Sequence, residues 1–152
     1  MKRRILLVEE DLAVLLTLKT VLEFHGFEVE TAASSAEAIT RMASGVYPMV
    51  ISDLRMGTEE AGWEVLRAAR RQAYDPATAL LTADPPSGEH WLGKHGGGQG
   101  WSGVSSDSLL IKPLGIGDLL RQVEALLVRH ADKQLRQRNS AFRAQETGRQ
   151  AG

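Results

Sequence analysis

Cysteine is absent from the 152 residues, which removes disulfide scaffolds, cysteine–zinc sites and thiol nucleophiles from consideration. A surplus of either charge is absent too. The 18 Lys and Arg stand against 19 Asp and Glu, a formal net charge of −1. The molecule as a whole is therefore no electrostatic magnet for nucleic acid or for a membrane. Long hydrophobic runs are also missing. Nothing approaches the roughly 18 apolar residues of a membrane span. The opening MKRRILLVEED starts like a secretory leader, yet its apolar run extends only from Ile5 to Val8 before acids follow; a leader needs about 7–15 apolar residues. The expectation is a cytoplasmic protein that neither enters nor rests on a membrane.

The length is that of one domain. With 43% hydrophobic residues, a core can form without staples. Ile5 to Val8 is a short, wholly apolar run, the pattern of a strand buried on both faces. A helix is predicted over 11–25, with Leu12, Leu15, Leu16 and Leu22 on its stripe and Gly26 as its stop. Phe27, Val29 and Thr31 suggest a second strand. Ser34-Ser35 offers an N-cap to a helix carrying Ala36, Ala38, Ile39 and Met42, which Gly45 ends. Val46 to Ile51 reads as a third strand ending near Asp53. A helix over 60–72 follows, with Trp63, Leu66, Ala69 and Ala73 on one face. Ala77 to Leu81 and Leu109 to Ile111 are the fourth and fifth strands. A last helix opens at Gly117-Asp118, with Leu119, Leu120, Val123, Leu126 and Leu127 inward. Alternating strands and helices predict an α/β fold, a doubly wound parallel sheet of five strands covered on both sides.

Two segments break the rhythm. Residues 84–107, DPPSGEHWLGKHGGGQGWSGVSSD, lie where a helix is due, but their prolines and glycines disfavour one. The glycines around Lys94 invite a phosphate-loop reading. A P-loop, however, has its lysine after the glycines, with a helix opening behind it; Lys94 precedes them. His90 and His95 could bind a metal but read as solvated. Trp91 and Trp101 either pin the loop or form a partner patch. The second segment is the polar, arginine-containing stretch 131–152, read as a basic tail or an extension of the last helix; Leu127 and Leu135 are compatible with the latter. A solvated terminus is favoured there over nucleic-acid binding.

In an open parallel sheet, chemistry sits at the carboxyl ends of the strands. After the first strand come Glu9, Glu10 and Asp11; after the third, Asp53; after the fourth, Thr82; after the fifth, Lys112 and Pro113. Taken singly each has a plain reading: acids at a helix start favoured by the dipole, an aspartate in a turn, a lysine in a loop. Together they resemble a device for phosphoryl transfer. Clustered carboxylates favour Mg2+, a hard ion that takes one or two of them. A carboxylate can itself attack phosphorus, and such transfer needs positioning and charge neutralisation above all.

The ordered set ILLVEED (5–11), VISDLRM (50–56), LLTAD (80–84) and LLIKP (109–113) resembles the response-regulator receiver domains, the CheY-like (flavodoxin-like) family, over roughly residues 3–130. The resemblance implies a receiver domain over 1–130 that is not an enzyme acting on other molecules. It would accept a phosphoryl group from a sensor histidine kinase or phosphotransfer protein, with autophosphatase activity as its only catalysis. By position, Asp53 is the phosphoacceptor. Glu9 and Glu10 hold the paired acidic positions, and with Asp53 and the backbone carbonyl of Arg55 they would hold Mg2+. Thr82 and Lys112 match the switch hydroxyl and the lysine. The family also implies output through contacts with a downstream protein, or through homodimerisation, on the face of the fourth helix, fifth strand and last helix.

The sequence departs from the family pattern at several places. Glu10 carries one methylene more than the usual aspartate. Gly57 stands where a proline is usual, and Gly62 comes one residue late. Leu109 occupies the position of the aromatic switch, and the Gly-rich loop 84–107 replaces or disrupts the fourth helix. These departures support an alternative, a phosphorylation-independent pseudo-receiver acting as an interaction module. A phosphohydrolase of the haloacid-dehalogenase kind would need a second aspartate two residues after the nucleophile, where Arg55 stands.

Overall fold

The computed structural model describes residues 3–54, 56–57, 61–82, 108–111 and 115–150. Five strands run in parallel: β1 (Arg4–Val8), β2 (Glu28–Ala32), β3 (Met49–Asp53), β4 (Ala77–Thr82) and β5 (Ser108–Ile111). Their order across the sheet is β2-β1-β3-β4-β5. Four helices are described: α1 (Leu12–Phe24), α2 (Ser35–Ser44), α3 (Ala61–Arg70) and α4 (Ile116–Gln150). The segment 84–107, with Trp91, Trp101, His90 and His95, lies outside the described residues.

Strand alternation divides the core into two faces. Ile5, Leu7, Val29, Met49, Ile51, Ala79 and Leu81 point to one side, where Leu15 and Leu22 of α1 and Leu119, Val123 and Leu126 of α4 cover them. Leu6, Val8, Ala32 and Val50 point to the other, against Ala38 and Met42 of α2 and Val65, Ala68 and Ala69 of α3. This two-sided burial is what the all-apolar strand runs require. The caps follow the sequence. Ser34 caps α2 through the Glu37 amide, 3.1 Å away, and Gly45 ends that helix. Gly26 follows the last turn of α1 with φ +92°.

The helical stripes differ from expectation in detail. Leu12 and Leu16 face outward, 65% and 51% exposed, while Leu18 and Val21 join Leu15 and Leu22 against the sheet. Because α1 carries apolar residues around much of its circumference, periodicity alone does not select the buried stripe. Ala36 and Ile39 of α2 are likewise exposed. Ala73 lies beyond the end of α3 and is exposed, and Val46 sits outside β3, whose run begins at Met49.

Two features position the rim of the sheet. At the end of β3, the first turn of α3 presses on the backbone: the Gly62 amide donates to the Leu54 carbonyl at 3.0 Å. A Cβ at Gly62 would stand 2.6 Å from the Asp53 carbonyl oxygen and 2.6 Å from the Leu54 Cα. Only glycine permits this approach. Gly57, at φ +77°, turns the chain between β3 and α3 in a conformation that side chains rarely adopt. At the β2 edge, Glu30 accepts a 2.7 Å hydrogen bond from the Tyr47 hydroxyl and pairs with Arg4 and Arg41. The Arg4 guanidinium also stacks 4.8 Å from the Tyr47 ring centre. The Tyr47 hydrogen bond and the two arginines hold the Glu30 carboxyl below its ordinary range. Burial, then the bond to Glu30, pushes the Tyr47 phenol up to about 12.

Two outcomes are expected. Gly62→Ala should destabilise the fold by roughly 1–3 kcal/mol through overpacking, read as a lowered urea midpoint with unchanged slope. Tyr47→Phe should cost about 1–2 kcal/mol, the range for a hydrogen bond to a charged group. It should also raise the Glu30 titration midpoint, followed by carboxyl NMR. The signs are fixed by linkage. Glu30, lowered in the fold, contributes stability above its unfolded value that is lost as pH falls through the folded one. Tyr47, raised in the fold, contributes stability below its unfolded value, near 10, that is lost as pH rises towards about 12.

Candidate phosphoacceptor site

Adjacent parallel strands place their carboxyl ends on one rim. The register Ile5↔Met49 through Val8↔Ser52, carried one residue further, sets Glu9 beside Asp53, at the roughly 4.8 Å spacing of neighbouring strands. Asp53 in turn pairs with Leu81, immediately before Thr82. The ladder continues past the strand ends, with Glu9 N–H donating to Ala32 O at 3.0 Å and Leu54 N–H to Leu81 O at 2.9 Å. Period two puts Glu9 on the side of Ile5 and Leu7, and Asp53 on the side of Met49 and Ile51, which is the same face.

The acids of the first loop then separate into distinct roles. Glu9 is buried, 1% exposed, and its Oε1 accepts from the Asp11 amide at 3.2 Å. Asp11 is the N-cap of α1, its Oδ1 accepting from Ala13 N at 3.0 Å and Val14 N at 3.3 Å. Its carboxylate serves the helix end, as the plain reading of acids at a helix start allows. Glu10 is exposed at the mouth of the rim. Asp53 is 8% exposed and Thr82 2%. A carboxylate that is nearly but not wholly enclosed can meet an incoming group from one direction only.

The structure thus brings Glu9, Asp53 and Thr82 to one edge on three adjacent strands, with Glu10 beside them. Arg55 and Lys112 lie outside the described residues. Among the described residues no three of His, Asp and Glu converge as a metal-binding set. Two neighbouring carboxylates at a rim nevertheless offer the all-oxygen donors that suit Mg2+, which takes few protein ligands and keeps its waters. Ser52 is not among the residues that the sequence singles out, and Gly62 is notable there only for its displaced position. Ser52, fully buried, donates its hydroxyl to the Asp53 carbonyl at 3.0 Å. Gly62 fixes the same carbonyl by close approach. A serine within a hydrophobic run and a displaced glycine were the only signals available.

Comparison with known proteins agrees with this geometry. The family model for the response regulator receiver domain matches residues 5–89. The response regulator MprA of Mycolicibacterium vanbaalenii is 34% identical over 126 residues, 83% of this chain and 51% of that protein. The alginate biosynthesis transcriptional regulatory protein AlgB of Pseudomonas syringae pv. tomato is 41% identical over 80 residues, 53% of this chain and 18% of that protein. The chain thus spans about half the length of MprA and less of AlgB. Among solved structures, the response regulator TrrA of Thermotoga maritima, in complex with Mg2+-BeF, superposes with a TM-score of 0.65 at 30% identity, covering 82% of this chain and 98% of that one. The chemotaxis protein CheY4 of Vibrio cholerae gives a TM-score of 0.70 at 24% identity, covering 83% and 99%. With a five-stranded parallel sheet, an acidic rim at its carboxyl edge and a receiver-domain match over more than half its length, this chain belongs to the response regulator receiver domain family of two-component signalling.

Proposed function

We propose that Asp53 accepts a phosphoryl group from a sensor histidine kinase or a phosphotransfer protein, and that the modified domain signals in the cytoplasm through contacts with a downstream protein. In the transfer a carboxylate oxygen of Asp53 attacks phosphorus in line. The histidine N–P bond breaks, and its electron pair returns to the imidazole nitrogen. Glu9, Glu10, Asp53 and the Arg55 carbonyl would hold Mg2+, whose charge offsets that of the carboxylates and of the incoming oxygens. Thr82 donates its hydroxyl to a phosphoryl oxygen, and Lys112 pairs with another. The acyl phosphate leaves by hydrolysis at the same site, so the domain is a phosphoacceptor with self-hydrolysis and has no turnover of other substrates.

One observation carries this reading: Asp53 and Glu9 stand in adjacent register at the sheet rim, with Thr82 at the end of the next strand. The Mg2+-BeF complex of TrrA adds support by analogy with a related protein. A phosphorylation-independent interaction module is the weaker reading, since Asp53 and Thr82 at one sheet rim support phosphoryl transfer.

Incubation with a small acyl-phosphate donor and Mg2+ should raise the intact mass by one phosphoryl group. Asp53→Asn and addition of a chelator should each abolish the gain. Glu10→Gln should raise the Mg2+ concentration needed for half-maximal labelling several-fold while leaving the unfolding midpoint unchanged, as expected for an exposed ligand. A wild-type chain that gains no mass would establish the interaction-module reading instead.

A further inference from the structure

β3 runs through the middle of the sheet, paired with β1 on one side and β4 on the other. Its residues are buried throughout, and the polar Ser52 directly precedes the terminal Asp53. By strand alternation the Ser52 side chain lies on the face that Val50 shares with α2 and α3, opposite the Asp53 carboxylate. An apolar residue at this position would bury more hydrocarbon. A buried hydroxyl is tolerated when it is hydrogen-bonded, and that of Ser52 donates to the Asp53 carbonyl at 3.0 Å. A polar residue that breaks the burial rule of its strand marks a position with a second requirement.

That carbonyl stands where the strand gives way to the loop. The β1–β3 register ends at Val8↔Ser52, so the peptide joining Asp53 to Leu54 lies past the last β1 pair. Its N–H is held from β4, donating to the Leu81 carbonyl at 2.9 Å. Its carbonyl receives the Ser52 hydroxyl. The first turn of α3 closes over the same oxygen, which a Cβ on Gly62 would approach to 2.6 Å. The next carbonyl, that of Leu54, accepts from the Gly62 amide at 3.0 Å. Two successive peptide units after the Asp53 Cα are thus pinned. The tilt of the first is the ψ angle of Asp53, and the rotamers open to a side chain depend on the backbone angles of its residue.

We infer that Ser52 is a positioning residue for phosphoryl transfer at Asp53: its hydroxyl holds the Asp53–Leu54 peptide plane, and through it the rotamer in which the carboxylate meets phosphorus in line. The inference rests on the phosphoacceptor reading of Asp53. Ser52 acts through the backbone from the opposite face of the strand and exchanges no proton. With an acyl phosphate as donor, a carboxylate oxygen of Asp53 bonds to phosphorus, and the donor's O–P bond breaks with its electron pair leaving on the donor carboxylate. Such a displacement depends steeply on placement, about 100-fold in rate for a 1 Å error. A reacting side chain therefore gains from a buried hydrogen bond that locks its backbone.

Labelling of the full chain by acetyl phosphate at saturating Mg2+ tests it, with intact mass followed over time at a series of donor concentrations and circular dichroism giving the folded fraction. Ser52→Ala removes the hydroxyl. It should lower the maximal labelling rate per folded chain about 10-fold, a partial misplacement on the scale above, and leave the half-saturating donor concentration unchanged. Ser52→Thr and Ser52→Val form a second pair, alike in shape and different in the hydroxyl, so that any crowding is common to both. Ser52→Thr should label at least about 5-fold faster than Ser52→Val, on the same grounds. A purely structural role would reduce the folded fraction and leave the rate per folded chain untouched. Ser52→Ala labelling at the wild-type rate overturns the positioning role, and so do Ser52→Thr and Ser52→Val chains that label equally fast. In either case a wild type that gains mass, beside an Asp53→Asn chain that does not, leaves the phosphoacceptor reading standing. A wild type that gains no mass overturns both together.

Discussion

The ladder between β1 and β3 is the constraint on which the candidate site depends. Each strand alone ends in an acid with no defined neighbour. Parallel pairing from Ile5↔Met49 to Val8↔Ser52 makes Glu9 and Asp53 adjacent on one face and leaves their side chains at the edge where backbone pairing stops. The β3–β4 ladder brings Thr82, one residue beyond Leu81, to the same edge. Glu9 and Asp53, more than forty residues apart in sequence, thereby become neighbours at one edge. No loop contact could place them as reproducibly, because strand register is strongly specified wherever both faces of a sheet are buried.

The packing around that edge sustains it. Gly62 lets α3 begin against the carbonyl of Asp53, and Ser52 donates to the same oxygen, so the Asp53 backbone is held from the helix and from its own strand. On the far side of β1, Asp11 caps α1, and its amide engages Glu9. One carboxylate thus serves the helix end, a second is enclosed at the rim and a third faces solvent. Their different burial, with no difference in side-chain chemistry between Glu9 and Glu10, separates the roles. The ion-paired cluster of Glu30, Arg4, Arg41 and Tyr47 secures the outer strand β2 against α2 and leaves the rim free for chemistry.

Much of this was legible in the linear chain. The apolar strand runs, the Ser34 cap, the Gly26 and Gly45 stops, and the polar residue after each strand all read directly, because strand burial and helix capping are local chemistry. The choice of buried stripe on α1 was not legible, and Leu12 and Leu16 turned outward. When apolar residues surround a helix, the docking angle against the sheet decides which of them is covered. The division of labour among Glu9, Glu10 and Asp11 was equally hidden, since three consecutive acids look alike until a helix start and a sheet edge claim two of them.

By itself, then, the sequence determined the alternation of strand and helix, the parallel two-faced sheet and the identity of Asp53 as the acid that follows a buried strand, since each depends on hydropathy period and neighbouring residues. Tertiary structure alone decided that Glu9 stands beside Asp53 and Glu10 outside it. It alone decided that Gly62 closely approaches the Asp53 carbonyl, and that Val128, Leu135 and Phe142 of α4 are exposed. Those outcomes depend on register, approach distance and helix rotation, which arise only when elements distant in sequence pack together.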